Sequence, residues 1–387
     1  MGNCKVTVLS NHNFQENSRK ASIHFLSEGI SRLGCDVTAV TVGLSLLRII
    51  KQPHRYKGIL RNWLRSPPRR RSNIAAFSEM SLIHPMHFRY EWLNKILGRL
   101  AIRLSAKLSK RITDALSKTD IFIIDSGSSV TYFPELKRQF PAAKFIYNAA
   151  DSLRAVGAPS YLLPMERIAI MNSDLVRCPS SLLAKILLGG SNILVIPQGV
   201  LVDQFNICHT SPYPSGTINI VSIGSTLIDL VAIADLARSH PQIQVHVLGL
   251  TQQDNMPTNA IFHGEVSFRE TIPFVKFANA GLAAYKLDEG SAYIAESSLK
   301  LLQYRFCNLP IIAPEMIPDG EDVFTYIEGD EGSIARATTR ALGHFDSKSP
   351  RNVSILSWDD VAGRLLRAIG ELGAGPFRNR CGEPDRR

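Results

Sequence analysis

The chain runs through one pattern twice. A short apolar stretch, an amphipathic segment and another short apolar stretch recur, with a Pro/Gly/Ser-rich break between the two runs. Parallel strands need crossover helices, so this alternation predicts α/β architecture with mostly parallel sheets. In the first run the predicted strands are Lys5–Ser10, Cys35–Val42, Asp120–Asp125, Lys144–Tyr147, Leu175–Arg177 and Asn192–Pro197. Helices are predicted at Ala21–Leu33, Val130–Phe140 and Ser180–Leu188. Thr210–Thr217 (TSPYPSGT) reads as a linker. Beyond it, strands are predicted at Ile218–Ile223, Ile243–Leu248, Ile261–His263, Gly281–Tyr285 and Pro310–Ala313, with one helix ending at Ser239 and another at Ser297–Phe306. The expectation is twin Rossmann-like domains, 1–209 and 210–370, facing each other across a central cleft, and a disordered tail at 371–387.

Composition narrows the class. With 387 residues, 45% of them hydrophobic and 20% charged, the chain is neither disordered, collagen-like nor coiled-coil, and is long enough for two domains. Six scattered cysteines, with no CxxC pair, read as reduced thiols rather than a disulfide framework or a metal site. The opening MGNCKVTVLSNHNF lacks the apolar core of a signal peptide, and position 6 is Val where a myristoylation pattern needs Ser or Thr. No stretch is long and apolar enough to span a bilayer. These features predict a protein that works from the cytosol.

The net charge of +10 is concentrated. Residues 1–150 carry 24 basic and 9 acidic side chains, and residues 48–111 alone carry 16 and 2. Such a block suits an anionic partner. Within it, residues 91–111 predict a helix with Leu93, Leu97, Leu100, Leu104 and Leu108 on one face, and with Lys95, Arg99, Arg103 and Lys107 centred about 120° away. With Trp63 and Trp92 nearby, this favours an anionic bilayer surface over a core helix with a solvated flank. No helix-turn-helix, zinc module or RNA motif accompanies the charge, so nucleic acid is not the expected partner.

The chemistry-bearing segments lie at strand ends. Gly224-Ser225-Thr226 follows an apolar strand, where backbone N–H groups can approach a phosphate closely. Many such turns are only turns. Asp229 and Glu265 sit in or near two strand-end loops, where open α/β sheets bind ligands. In AESSLKLLQY, Ser297 or Ser298 can cap a helix whose first turn carries Lys300, placed to neutralise a diphosphate leaving group. Gln303 stands on the same face one turn later. A surface Lys and Gln on an ordinary helix would look the same. Asp151, just past the strand Lys144–Tyr147, is either a general base for an acceptor hydroxyl or a helix cap. Asp125-Ser126-Gly127 ends the preceding strand.

Together the segments SNHNF, SRKASIHF, DSGSSV, PAAKFIYNAAD, GSTLID, HGEV and ESSLKLLQY, with NLP after the last, resemble the GT-B glycosyltransferases. Within that fold they are similar to the GumK-type glucuronosyltransferases of xanthan assembly. The resemblance runs from Leu9 to Pro314, with an echo at Ser357-Trp358-Asp359-Asp360. It implies that Asp151 is the catalytic base and that Asp229, Glu265, Tyr285, Lys300 and Gln303 contact the donor nucleotide. Thr226 and Leu299 stand where the family has Met, Asn148 where it has Arg, and Lys286–Ile294 departs from its pattern. The implied reaction is inverting, metal-independent transfer of a sugar, glucuronic acid first among candidates, from a UDP-sugar to a polyprenyl-diphosphate-linked oligosaccharide. No DxD-type motif in the second half speaks for a metal, and no cofactor is expected. Another UDP-sugar, glucose or an N-acetylhexosamine, stays open, and more distantly a non-catalytic lipid-binding role. The family's basic, apolar N-terminal surface implies a peripheral place on the cytoplasmic face of the inner membrane. Arg19 and Lys20 are candidates for an acceptor diphosphate or a donor carboxylate.

Overall fold

The computed structural model describes residues 4–14, 20–45, 69–71, 74–81, 91–187, 192–287, 290, 292–318, 320–345 and 355–371. They form two units: the chain up to Pro197 joined by the C-terminal helix from Trp358, and Gln198–Ser357.

The first unit is built on eight strands: β1 Lys5–Ser10, β2 Asp36–Ser45, β3 Arg69–Arg71, β4 Ile74–Ser81, β5 Ile121–Asp125, β6 Lys144–Asn148, β7 Leu175–Cys178 and β8 Ile193–Val195. Their order is β3-β4-β2-β1-β5-β6-β7-β8, parallel except for β3, which pairs antiparallel at the edge. The second sheet holds β9 Ile218–Ile223, β10 Ile243–Leu248, β11 Ala260–Phe262, β12 Ala280–Leu282, β13 Ile311–Pro314 and β14 Val323–Tyr326. All its pairings are parallel, in the order β11-β10-β9-β12-β13-β14. This is the doubly wound order of a Rossmann fold. β5 (IFIID) is buried along its whole length, as a parallel strand covered on both faces must be.

Each sheet has one place where successive connections leave in opposite directions, between β1 and β5 in the first and between β9 and β12 in the second. The crevice beyond the carboxyl ends of those strands is where such sheets bind ligands. In the first unit these ends carry Ser10 and Asp125, in the second Ile223-Gly224 and the chain leading to Tyr285.

Several expectations need correction. The first unit closes at Pro197 rather than at residue 209, because Val200 already pairs with Ser357 in the second unit. The final helix, Trp358–Glu371, expected in the second domain, packs on Ser22–Arg32 of the first. The rings of Phe25 and Trp358 stack 5.6 Å apart there. A Cβ at Gly29 would come 2.7 Å from the Trp358 carbonyl oxygen, so only glycine admits this approach. The helix predicted over 297–306 is two, Ile294–Ser297 and Leu299–Phe306. β3, β4 and β14 were not predicted, nor were the helices Leu163–Asn172, Phe268–Phe277 and Glu331–Phe345.

Candidate active site

In the second unit three glycines with positive φ terminate adjacent strands: Gly224 (101°), Gly249 (112°) and Gly264 (73°). The Gly249 backbone lies so near Gly224 that a Cβ there would sit 3.0 Å from the Gly224 oxygen. Gly249 N donates to Gly264 O at 2.8 Å, and Gly224 N to Leu248 O at 2.9 Å. The turn bearing Glu265 is thereby drawn to the turn bearing Ser225 and Thr226. Gly249 escaped notice in the sequence, where only VLGL after a strand marks it.

The loop from Gly224 does not open a helix at once. Leu227 holds φ 51°, unusual for a non-glycine residue, and Ile228 bridges antiparallel to Tyr285. The helix Leu230–Ser239 then starts on Asp229, whose carboxylate accepts from Val231 N at 3.0 Å and Ala232 N at 3.3 Å. Asp229, expected to contact nucleotide, is thus engaged as a helix cap. Thr226 and Glu265 are exposed.

Lys300 is the centre of this half. Ser298 caps the helix Leu299–Phe306, accepting from Leu301 N at 3.2 Å, and its hydroxyl lies 2.6 Å from Tyr285 Oη. Lys300 Nζ rests 4.2 Å from the Tyr285 ring centroid, and its Cε is 3.8 Å from where a Cβ on Gly224 would lie. The side chain is only 7% exposed, and burial lowers its pKa from 10.5 to about 7. No carboxylate among the described residues pairs with it. On the same helix Gln303 is buried, its Oε1 without a hydrogen-bond partner among the described residues. Gly224, Tyr285, Ser298 and Lys300 therefore gather around one strand-end crevice, with Leu299 half-buried beside them and Gln303 one turn further along the helix. An ammonium that is under-solvated beside a helix N-terminus, and unneutralised among the described residues, is chemically suited to a polyanion.

In the first unit Asp151 stands exposed on the turn after β6. That turn is fixed by Asn148 O, which accepts from Ser126 N at 2.9 Å and Ala150 N at 3.0 Å. A buried pair supports it from the far side, Tyr147 Oη donating to Glu166 Oε1 at 2.7 Å. Desolvation raises the pKa of Glu166. An exposed carboxylate on a rigid turn at a strand end can accept a proton from an approaching hydroxyl.

The basic, apolar surface falls only in part within the described residues. Arg19 and Trp63, and the side chain of Lys95, lie outside the described residues. Lys20 is not free for a diphosphate, since its ammonium pairs with Glu28 at 2.6 Å. The helix Glu91–Ser105 is shorter than expected and leaves Leu108 in the loop beyond it. Leu97 is half-buried, and the leucines after it in the helix face outward. Leu100 and Leu104 are 47% and 43% exposed, alongside Trp92 at 60% and Ile96 at 62%. Asn94, Gly98 and Ala101 are buried instead, because the helix sits on Tyr161: a Cβ at Gly98 would fall 2.4 Å from that ring. Arg99 and Arg103 are exposed on the flank of the outward apolar face.

Residues 8–179 match the family model for the N-terminal domain of glucuronosyltransferase GumK. The UDP-glucuronate:glycolipid 2-beta-glucuronosyltransferase of Xanthomonas campestris pv. campestris is 28% identical over 366 residues, covering 93% of this chain and 88% of its own length. Among solved structures, HepE of Anabaena in complex with UDP and glucose is similar with a TM-score of 0.61 at 12% identity, covering 95% of this chain and 100% of its own. WaaG, a glycosyltransferase involved in lipopolysaccharide biosynthesis, gives 0.52 at 12% identity, covering 96% and 100%. At such low identity these two structures speak for the fold, two Rossmann-like sheets of the kind that GT-B glycosyltransferases carry.

Proposed function

We propose that the chain is a GumK-like glycosyltransferase of the GT-B fold that transfers glucuronic acid from UDP-glucuronate to a polyprenyl-diphosphate-linked oligosaccharide, with inversion at the anomeric carbon. The observation that carries the donor half is Lys300, buried beside the capped helix start at Ser298 without a counter-ion among the described residues. A nucleoside diphosphate supplies the missing negative charge.

In this reading Asp151 takes the proton of an acceptor hydroxyl as its oxygen attacks the anomeric carbon. The bond from that carbon to the UDP oxygen breaks on the opposite face, and the electron pair leaves with UDP. The charge growing on the diphosphate meets Lys300 and the N–H groups of the helix from Leu299. Because those groups are fixed before the reaction, little reorganisation accompanies the charge. Gln303, whose buried acceptor oxygen has no partner among the described residues, takes a hydroxyl donor such as a ribose.

The acceptor half of the reading rests on the outward face of Glu91–Ser105. Trp92, Ile96, Leu100 and Leu104 beside Arg99 and Arg103 suit the boundary of an anionic leaflet, where a lipid-linked acceptor resides. No helix among the described residues is long and apolar enough to cross a membrane. A peripheral place on the cytoplasmic face of the inner membrane follows from this reading.

The test is a panel of labelled UDP-glucuronate, UDP-glucose and UDP-N-acetylhexosamines with lipid-linked oligosaccharides, followed by linkage analysis of the product. Glucuronate should be transferred in preference and the new linkage should be inverted. Preferential transfer of glucose would replace the donor assignment. The loss of transfer in both Asp151→Asn and Lys300→Met, with the fold intact, separates an enzyme from a lipid-binding protein.

A further inference from the structure

Beneath the turn that carries Asp151 runs a chain of four buried polar side chains, one from each of four neighbouring strands: Ser10 (β1), Asp125 (β5), Asn148 (β6) and Arg177 (β7). Ser10 Oγ donates to Asp125 Oδ2 at 2.7 Å, and Asn148 Nδ2 donates to Asp125 Oδ1 at 2.7 Å. Arg177 Nη1 donates to Asn148 Oδ1 at 3.1 Å, and its Nη2 to the carbonyls of Ile196 at 2.8 Å and Pro197 at 3.2 Å. Burial raises the pKa of Asp125, and the hydrogen bonds that its two oxygens accept from Ser10 and Asn148 oppose that rise by favouring the ionised form. The Asn148 amide lies between the two charges, its carbonyl toward the guanidinium and its N–H toward the carboxylate.

A carboxylate and a guanidinium are costly to enclose, and apolar side chains of similar size would hold four strands together at least as well. The network lies at the carboxyl edge of the sheet, under the same backbone that sets Asp151. The groups that face Asp125 are Ser10 and His12 at the end of β1, Tyr147, Asn148 and Asp151 from β6 and its turn, and Arg177 from β7. Asp125 and Asp151 repel as like charges, and each therefore strengthens the other's hold on a proton.

We propose that Asp125, held by Ser10 and Asn148 and countered at a distance by Arg177, is a positioning residue whose charge makes Asp151 a stronger proton acceptor. The proposal rests on Asp151 being the base. The amide spacer matters to it, because direct contact with the guanidinium would quench the carboxylate that Asp151 is meant to feel. A merely structural network would stabilise the sheet without touching the protonation of Asp151.

The experiment compares pH profiles of kcat/KM for the lipid-linked acceptor, with radiolabelled UDP-glucuronate saturating, in the full-length protein and in Asp125→Asn, Ser10→Ala and Asp151→Asn. Asp125→Asn should move the acid limb to lower pH and lower kcat about tenfold at neutral pH, with donor KM unchanged. Ser10→Ala, which weakens the hold on the ionised form of Asp125, should shift the limb in the same direction by less. Its melting temperature checks that the fold is kept. An Asp125→Asn enzyme that folds and keeps both its acid limb and its kcat overturns the proposal. Should that variant not fold, an unmoved limb in Ser10→Ala does the same. Transfer that persists undiminished in Asp151→Asn removes the base itself, and the proposal with it, a result distinct from an unmoved limb with Asp151→Asn inactive.

Discussion

Lys300 sets the stability of the second unit against its use. Its ordinary pKa of 10.5 is lowered to about 7 by desolvation. Between those two pH values an unfolded chain binds a proton that the folded chain has released. Stability of the unliganded protein therefore rises as pH climbs from about 7 toward 10.5. Donor binding reverses the trend, because a diphosphate beside the ammonium favours its charged form. Above pH 7 the protein should take up a proton as it binds UDP, and affinity should weaken by up to about tenfold per pH unit. Calorimetry in two buffers of different ionisation enthalpy reads this uptake directly, and its absence at pH 8 would show that Lys300 does not meet the diphosphate. Lys300→Met removes the buried ammonium and keeps the bulk. It should stabilise the unliganded protein by about 1–4 kcal/mol while abolishing UDP binding. A raised melting temperature with UDP affinity intact would contradict the assignment.

Among the elements, the helix Glu91–Ser105 shows most plainly what a sequence can and cannot carry. Its periodicity was legible in the placing of Leu97, Leu100 and Leu104, but its end and the side that faces the protein were not. That side is decided by Tyr161, far along the chain, which leaves room only for Gly98. The same limit explains Asp229, since a carboxylate after a strand looks alike in sequence whether it caps a helix or binds a ligand. Strands such as IFIID and INIVSI were legible because both faces are buried, along the whole of the first and along all but Ile218 of the second. β4 (IAAFSEMS) was not, for its short side chains lie inside a block whose composition is dominated by positive charge. Of the candidate site, the nearness of Lys300, Ser298, Gln303 and Tyr285 was legible because one short segment and a strand end hold them. Gly249 and the Ser10–Asp125–Asn148–Arg177 chain were not, since only the sheet order brings them together.

Two changes separate the two faces of that helix. Gly98→Ala should force the helix off its seat and destabilise the first unit by about 1–3 kcal/mol, as overpacking does. Ile96→Asp with Leu100→Asp should leave melting unchanged within about 0.5 kcal/mol, because both positions face outward. The same double change should reduce sedimentation with anionic vesicles several-fold. Equal binding of the unaltered protein to anionic and neutral vesicles would exclude the surface as an anionic-lipid site.

At the scale of the molecule, the first unit is discontinuous in sequence. The chain completes its first sheet, builds the second unit, and returns at Trp358 to close the first. Two contacts carry the return in different degrees. Arg32 and Asp359 meet at 2.6 Å, but both side chains are nearly half exposed, so this pair is worth at most about 1 kcal/mol. Trp358, 2% exposed and stacked on Phe25, is the anchor. Folding of the first unit consequently cannot finish until the whole chain has been made, and its stability depends on a residue that lies beyond the second unit. Trp358→Ala should cost about 3–5 kcal/mol, which for a unit of this size lowers its melting by about 10 °C. Because the loss is confined to the first unit, scanning calorimetry should show one transition shifted down and the UDP-stabilised transition of the second unit in place. A shift of both transitions by the same amount, or of neither, would mean that the helix does not belong energetically to the unit on which it packs.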